Sequence, residues 1–537
     1  MNAHKIFLEA CDVFFRHYHN KPYTLFNPAL FHRKVLLRQI PQYLQFAFIA
    51  TAVRFSSQLQ WKQRKQATID SYAQASWEMI ISSPDGLGDS SSDVSVIQAL
   101  ALLAIIDAIA GRRRAAWVKI GMAVRISQDL QMMLESDEEA LPVAEREERR
   151  SIFWSLFLLD RFVCCSFRRP PAINVADCWL YLPVDRTVQV QGSESPLTLG
   201  ELLDGKMHGR LVADRGIGLL GLSVGFAALL GRTIDCMMNR EPKGVEPWRP
   251  HSDYSVIYTS LEHLKQLADK PAPNESPETE EENSEFPHSD RTSHLVLCLT
   301  LYHLTHCILS HPFLLGSKRQ AYQSTPTVWI EAQIASCWGH AQALTTVVVD
   351  AKAAGYMLAP SFYSYCILVA GTVHAILLHG EDKAACERAL KYLKTSFEYL
   401  SEISEMWQNS YIMSDALRFF TNRCVRYSSI LLGPASRFQD LTPTDKTVLQ
   451  SVLDYWAMMD PHNPVSKLGS LNIDCFADTI MGKEDDTTTG SSEPSKDANP
   501  TVDPGMLVIS SPGREGEFTQ WDWDNELGSI WDSPAPS

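Results

Sequence analysis

The chain has no cysteines at the spacing of a metal site, the closest being Cys164, Cys165 and Cys178, and no stretch of useful length that alternates polar with apolar residues. Its 12 cysteines are scattered over 537 residues, and no two form a Cys-x-x-Cys pair. Because a structural zinc site needs thiolates close enough to complete a tetrahedron, we predict no metal and no cofactor for these residues. Cysteines within apolar runs are typical of buried thiols in a reducing, intracellular compartment.

Basic charge is also scarce. Lys and Arg number 48 against 63 Asp and Glu, which leaves a net charge of -15 and a pI near 5.5. Such a chain is a poor electrostatic match to a polyanion, so we do not expect it to hold DNA unaided. Lys5, Asp12 and Arg16 interrupt any apolar run at the start, and no signal peptide is expected.

Uncharged stretches at residues 216–231 and 294–316 have the composition of membrane spans. The first has only 16 residues, and the second contains four histidines. Both patterns favour core helices over spans, so no contact with a membrane is predicted.

What the sequence does contain is helical periodicity. Apolar spacing predicts helices at about 41–59, 64–81, 93–110, 112–134, 145–165 and 219–239. The apolar residues of 114–134 and of 152–163 fall on nearly every side, which predicts helices buried all round. The fold class is therefore predicted to be all-α. Residues 1–480 would form a multi-helix domain with a disordered acidic insert at 270–290, and residues 481–537 a disordered acidic tail.

Two motifs in the first third carry a family resemblance. The first motif is made of Gly111, Ala116, Trp117, Gly121, Met122, Ala123, Arg125, Asp129 and Leu130. The second is made of Arg149, Arg150, Phe153, Trp154, Phe157, Asp160, Arg161, Arg169, Pro170, Pro171, Ala172, Ile173, Leu182 and Pro183. Together they resemble the regulatory middle region of fungal binuclear zinc-cluster transcription factors of the xylanolytic activator type. The resemblance extends over about residues 5–435, and Gly231 also matches it.

The resemblance implies a nuclear regulator of RNA polymerase II transcription, whose partners are coactivators and the transcription machinery. Members of the family bind DNA through an N-terminal six-cysteine cluster with two zinc ions, and this sequence does not contain that cluster. DNA would be reached through a missing N-terminal domain or a partner protein, and a homodimer is an open alternative. The alternative function is a small-molecule-binding helical receptor or co-regulator that acts through a DNA-binding partner.

The acidic tail concentrates aromatic residues among carboxylates. Residues 484–532 contain twelve acids against Lys496 and Arg514, a net charge of -10. Charge repulsion keeps large apolar side chains exposed in such segments, as acidic activation segments require. The candidate residues are Phe518, Trp521, Trp523, Leu527, Ile530 and Trp531.

Asp160 and Arg161 lie within an apolar helix, where an unpaired charge is costly. We interpret them as structural charges that fix the helix, with ligand sensing as the alternative. Because neighbours on a helix point about 100° apart, each is expected to pair with a different partner.

Two further patterns suggest chemistry. Gly221 to Gly225 matches a nucleophile elbow around Ser223, but no strand precedes it, so no catalytic residue is predicted and the chain is not expected to be an enzyme. His303, His306, Cys307 and His311 have the helical spacing of zinc ligands. With no acidic residue placed among them, packed histidines are the favoured interpretation.

Overall fold

The computed structural model describes most of the first 460 residues. The described ranges are 3–56, 64–82, 94–135, 141–183, 197–204, 217–239, 245–269, 287–320, 322, 325–356, 358, 361–433 and 435–460. They pack into one unit, which lies within residues Met1–Met481. The predicted acidic tail, including its candidate activation residues, and residues 270–286 of the predicted insert lie outside this description.

The periodic apolar stretches of the first third are helices. They are α1 (Ala3–His17), α2 (Pro28–Leu36), α3 (Gln42–Val53), α4 (Lys65–Ser82), α5 (Val94–Ile109), α6 (Arg113–Asp129) and α7 (Val143–Val163). Most bounds fall within a few residues of the predicted ones. Gly111 ends the turn after α5 with φ of +73°, a conformation that side chains other than glycine's rarely adopt.

The helices continue through the rest of the described chain. They are α8 (Leu199–Asp204), α9 (Leu219–Ile234), α10 (Asp253–Ala268), α11 (Pro287–Leu309), α12 (Pro312–Arg319), α13 (Thr327–Ala353), α14 (Phe362–Leu377), α15 (Lys383–Ile403), α16 (Gln408–Thr421), α17 (Cys424–Leu431), α18 (Pro443–Leu453) and α19 (Tyr455–Met458). A π-helical turn at Asp235–Asn239 extends α9. Helix α11 begins inside the range predicted as insert.

Two helices form the centres of the core. Every residue of α5 from Ser95 to Ala104 is buried, and α5 packs against α3 and α6. Every residue of α14 up to Ile376 is buried as well, and α14 packs against α11, α13, α15 and α16. Between these centres, α7 packs against α6, α9 and α19.

The all-α prediction is confirmed. Among the described residues the β-structure consists of an isolated antiparallel bridge between Tyr181 and Thr198. Helix α7 is buried all round from Ile152 to Val163, as predicted. It ends at Val163, close to the predicted end at 165, and the Arg-Pro-Pro segment follows six residues later.

The prediction that α6 is buried all round is wrong. Ala116, Ile120 and Ala123 are buried against α5 and α7, whereas Trp117 and Val118 are 42% and 54% exposed. The physical reason is that both packing partners lie on one side of α6. Trp117 and Val118 lie on the other side of α6, where they remain exposed among the described residues. The apolar composition of a helix does not by itself show how many of its sides are packed.

Candidate functional site

The last turn of α7 carries a buried ion pair. Asp160 and Arg161 are 1% and 3% exposed, and Nη1 of Arg161 donates a hydrogen bond to Oδ2 of Asp160 at 2.7 Å. The expectation that they pair with separate partners is therefore wrong, because the long arginine side chain spans the angle between adjacent positions. Burial raises the pKa of Asp160 and lowers the pKa of Arg161, and each partner charge opposes that shift.

The ion pair also holds the loop that follows the Arg-Pro-Pro segment. Oδ1 of Asp160 accepts the amide of Ala172 at 2.9 Å, and Oδ2 accepts the amide of Ile173 at 3.1 Å. Nη2 of Arg161 donates to the carbonyl of Ile173 at 2.6 Å. Since a buried pair is stable only when its remaining donors and acceptors are satisfied, these bonds explain how two charges persist in the core. They fasten the loop to α7.

Helix α9 approaches the same arginine closely. The Arg161 guanidinium lies 4.1 Å above the ring of Phe157. On the α9 side, a Cβ added to Gly231 would lie 3.0 Å from Cδ of Arg161. A glycine at this position therefore lets α9 pack directly on the arginine stem.

Trp154 anchors the Leu-Pro end of the second motif. Its side chain is fully buried, as predicted, and its indole Nε1 donates to the carbonyl of Tyr181 at 2.8 Å. The next residue, Leu182, donates its amide to the carbonyl of Leu197 at 2.8 Å. The indole thus satisfies its one donor while its rings fill the core, a common arrangement for buried tryptophan.

The arginines that open the second motif join it to the first. Nη2 of Arg149 donates to the carbonyl of Leu130, at the end of α6, at 2.9 Å. Arg150 forms ion pairs with Glu135 and Glu147. A hydrogen bond from the Arg149 side chain to the Leu130 backbone thus joins the second motif to the first, and both motifs pack around α7.

The N-terminal loop is attached to α7 as well. Glu148 accepts the amide of Asn27 at 2.9 Å, and Ser155 accepts the amide of Thr24 at 2.8 Å. Asn27 in turn caps α2 by accepting the amide of Leu30 at 3.2 Å. Burial raises the pKa of Glu148, and its hydrogen bond from Asn27 opposes that rise.

Arg169 occupies a different environment at the surface. Its guanidinium carbon lies 3.6 Å from the ring centre of Trp456 and 4.3 Å from that of Trp117. Arg113 also stacks over Trp456, at 5.7 Å, and forms an ion pair with Asp460. Among the described residues Arg169 has aromatic contacts but no ion pair, and its Nε and Nη1 atoms are buried without a hydrogen-bond partner.

Sequence reasoning missed the Trp456 contact. Trp456 follows Asp454, which accepts the amide of Phe167 from 287 residues away along the chain. Tyr455 fixes the same approach through its amide, which donates to the carbonyl of Cys165 at 2.8 Å. No local pattern connects segments so distant, and the pairing emerges only when α19 packs on α7.

The histidines with zinc-ligand spacing contact other partners. Nδ1 of His303 lies 2.9 Å from Nδ1 of His340, and the His306 ring stacks on the His340 ring with centres 4.0 Å apart. His311 caps α12 by accepting the amide of Phe313 at 3.3 Å. Within the described ranges, no group of three or more histidine, cysteine or acidic residues could hold a metal ion.

Burial keeps this histidine cluster neutral. It lowers the pKa of His303 to about 3, of His306 to about 2 and of His340 to about 4. Nε2 of His306 lies 3.3 Å from the Glu262 carboxylate, which also accepts the Tyr302 hydroxyl at 2.8 Å. The cluster joins α10, α11 and α13 through ring stacking.

Ser223 does not have the surroundings of a nucleophile. It lies in the second turn of α9 and is fully buried. Its hydroxyl donates to the carbonyl of Leu219 at 2.9 Å and lies 3.2 Å from the Cys298 thiol. An elbow serine must project from a sharp turn after a strand, whereas this one bonds back into its own helix.

A shallow groove lies between α1 and α3, with a cavity volume of about 20 Å³. It is lined by Ile6, Glu9, Ala10, Val13, Ile49, Ala52, Val53 and Ser56. Pockets for drug-sized ligands usually enclose about 300–1,000 Å³, so this groove is far too small to hold such a ligand.

Two helical stretches of the described chain are long and apolar enough to cross a membrane. They are Leu219–Asn239 and Thr292–Arg319, with mean hydropathies of 1.4 and 1.3. In the fold 67% and 72% of these apolar windows are buried against other helices, which is also how core helices behave.

Comparison with known proteins connects this architecture to a family. Residues 11–210, which span α1 to α8, match the fungal specific transcription factor domain. A transcriptional regulatory protein of Schizosaccharomyces pombe is 27% identical over 274 residues, which cover 47% of this chain and 27% of that protein. A Zn(2)-C6 fungal-type transcription factor of Fusarium oxysporum is 23% identical over 432 residues, which cover 76% of this chain and 44% of that protein.

A shorter match supports the same assignment. The nitrogen assimilation transcription factor nirA of Emericella nidulans is 36% identical over 87 residues, 16% of this chain and 10% of that protein. The matched regions thus span less than half the length of each of these relatives. Residues 11–210 thus match the fungal specific transcription factor domain, and the relatives to which the chain is similar are fungal transcription factors and regulatory proteins.

Proposed function

We propose that the chain is a nuclear regulator of RNA polymerase II transcription, and that its helical domain acts on target genes through coactivators or other parts of the transcription machinery. The observation that carries the proposal is the arrangement of the family motifs. Their charged residues, above all Asp160 and Arg161, are used to fasten loops to α7. We propose that these contacts around α7 hold the domain in one conformation or pass on a change of conformation, and that they catalyse no reaction.

Two further observations favour regulation over catalysis. The serine of the elbow-like pattern is buried in a helix, and the relatives that share the domain are transcription factors and regulatory proteins. We therefore propose that the chain acts by binding and that it has no enzymatic activity of its own.

DNA contact is proposed to come from a zinc-cluster domain or from a partner protein. The Fusarium relative is named for a Zn(2)-C6 cluster, whereas no two cysteines of these 537 residues form a Cys-x-x-Cys pair. A net charge of -15 also opposes direct binding to a polyanion.

A tethering experiment tests this function. Residues 1–537, fused to an unrelated DNA-binding domain, are expected to change the expression of a reporter several-fold relative to that domain alone, and a fluorescent fusion is expected to enter the nucleus. Asp160→Asn in the same fusion should reduce the effect, because it loosens the loop held by the ion pair. Cytoplasmic retention together with an unchanged reporter would contradict the proposal.

The acidic tail is proposed to be an activation segment. Residues 484–537 on the same DNA-binding domain should activate the reporter, and replacing Trp521, Trp523 and Trp531 together with alanine should abolish activation without changing charge. The matched control replaces Thr519, Gln520 and Ser529 with alanine in the same segment and should retain activity. Equal activation by both triple variants would mean that aromatic side chains play no part.

A further inference from the structure

We propose that a surface of α6 and of the Arg-Pro-Pro loop is a docking site for an acidic segment of a partner protein that also carries a large apolar side chain. The residues that define this arginine–tryptophan face are Arg114, Trp117, Val118, Arg168 and Arg169. The proposal rests on the regulatory function proposed above, for which it names a partner class. The binding itself can be measured without any transcriptional assay.

Arg169 carries a charge that has no ion pair among the described residues. Trp117 and Trp456 contact its guanidinium at 4.3 Å and 3.6 Å, which holds the group in place. Nε and Nη1 are buried without an acceptor, so Nη2 is the guanidinium nitrogen that a partner's carboxylate could reach. Within the described part of the chain Arg169 has no such acceptor, unlike Arg161, which has Asp160.

An apolar surface lies beside that charge. Trp117 and Val118 are 42% and 54% exposed, one and two positions beyond the buried Ala116. One turn further along, a Cβ added to Gly121 would meet no atom within 4 Å. A helix-interior glycine costs about 1 kcal/mol relative to alanine, and no contact with the described residues requires one here. A flat face beside an exposed tryptophan and an arginine has the composition of an interaction hot spot.

The surface around Arg169 carries an excess of positive charge. Helix α6 begins at Arg113 with no acidic residue in its first turn and no side-chain cap, although cations are disfavoured at the positive end of a helix. Arg112 pairs with Asp107 and Arg113 with Asp460. Arg114, Arg168 and Arg169 have no ion pair with any residue that the structure describes. An anionic partner would compensate these charges.

An acidic protein segment suits this face better than nucleic acid does. Phosphates would satisfy the arginines but would make no use of Trp117 and Val118, and a chain of net charge -15 repels a long polyanion. A segment that combines carboxylates with an aromatic or aliphatic side chain satisfies both parts of the face. Specificity would come from the charges, and much of the affinity from Trp117 and Arg169.

The test measures binding of a fluorescently labelled short peptide in which Asp and Glu alternate with Trp and Leu, using the full chain and fluorescence anisotropy. A peptide with Asn and Gln in place of the acids is the ligand control. We expect Arg169→Met to weaken binding of the acidic peptide about tenfold. Arg388→Met is the matched protein control. Arg388 is an exposed arginine over another tryptophan, 5.1 Å from the Trp338 ring, and its replacement should leave affinity unchanged.

A second pair of variants separates shape from charge. Trp117→Ala should also weaken binding about tenfold although the net charge is unchanged, whereas Trp179→Ala, which removes a tryptophan that is 66% exposed, should not. If Arg169→Met lowers the melting temperature, Arg114→Met tests the role of charge instead, because Arg114 is exposed. It should weaken binding of the acidic peptide while leaving the melting temperature unchanged. The proposal is overturned if the variants of this face bind like the wild type, if the neutral peptide binds equally well, or if duplex DNA binds more tightly than the acidic peptide.

Discussion

The motif region of α6 and α7 has a packed side and a solvent side, and the same residue types occur on both. The packed side carries Trp154, Arg161 and Gly231, and the solvent side carries Trp117, Arg169 and Gly121. Each packed residue has a partner inside the fold: a carbonyl for the indole, a carboxylate for the guanidinium, an arginine stem for the glycine. The solvent residues have no equivalent partner among the described residues.

The difference shows that a family motif can combine residues with separate roles. Residues of the packed side are explained by folding alone, since changing them would leave a cavity or an unpaired charge in the core. On the solvent side, Trp117 and Arg169 stack on each other and on Trp456, but they have no hydrogen bond or ion pair like those of the packed side among the described residues.

Replacing Trp154 and replacing Trp117 should give the largest difference in the free energy of unfolding. Trp154→Ala removes a fully buried indole and its hydrogen bond to Tyr181, and should lower the free energy of unfolding by about 3–5 kcal/mol. Trp117→Ala removes a side chain that is 42% exposed together with its stacking on Arg169, and should cost about 1 kcal/mol. Urea denaturation of both variants measures the contrast. Similar midpoints would mean that the two sides are not distinct.

Breaking the ion pair between Asp160 and Arg161 should give the next largest loss of stability. Asp160→Asn leaves the Arg161 guanidinium in the core without its carboxylate and weakens the bonds to Ala172 and Ile173, so we expect a loss of about 3 kcal/mol. The double variant Asp160→Asn with Arg161→Met removes the stranded charge and should recover part of that loss. A double variant no more stable than the single one would show that the charge itself is not the source of the cost.

Sequence reasoning predicted the packed side well and the solvent side poorly. The burial of Trp154 followed from the continuous apolar residues of α7, a local property of the sequence. The exposure of Trp117 could not be predicted, because it depends on which side of α6 receives α5 and α7. The contact between Arg169 and Trp456 depends on the packing of α19, from a distant part of the chain. The pairing of Asp160 with Arg161 was missed because it depends on the arginine rotamer, which helix geometry alone does not fix.

The neutral histidines between α11 and α13 should make the packed interior sensitive to acid. The pKa of His340 is about 4, and those of His303 and His306 are lower still, against an ordinary value of 6.5. A folded pKa below the unfolded one means that these groups stabilise the fold fully above about pH 6.5, and that this stability is lost as the pH falls below it. The surrounding charged and titratable groups are Glu262, Lys265, Tyr258 and Tyr302.

Melting temperatures between pH 7.5 and 5 test that expectation. The wild type should melt at progressively lower temperatures toward pH 5. His340→Phe preserves a ring against His306 but cannot bind a proton, so its melting temperature should depend less on pH. An identical pH dependence for both proteins would show that this cluster does not contribute to acid sensitivity.

The two glycines should give the smallest effects, with opposite signs. At Gly121 an added Cβ meets nothing within 4 Å, so Gly121→Ala should stabilise the protein by about 0.5–1 kcal/mol through helix propensity alone. At Gly231 the added Cβ lies 3.0 Å from Cδ of Arg161, whose guanidinium is fixed by Asp160 and Ile173, so Gly231→Ala should destabilise by about 0.5–1 kcal/mol. Denaturation midpoints measure both changes, and a stabilising Gly231→Ala would mean that the Arg161 side chain can move to make room for the methyl group.

Gly121→Ala should also weaken binding of the acidic peptide, because the methyl group projects from the face on which a partner would lie. A Gly121→Ala variant that is more stable but binds the peptide more weakly would show that this position, one helix turn from Trp117, serves binding and not folding. Unchanged binding would mean that the partner does not contact Gly121.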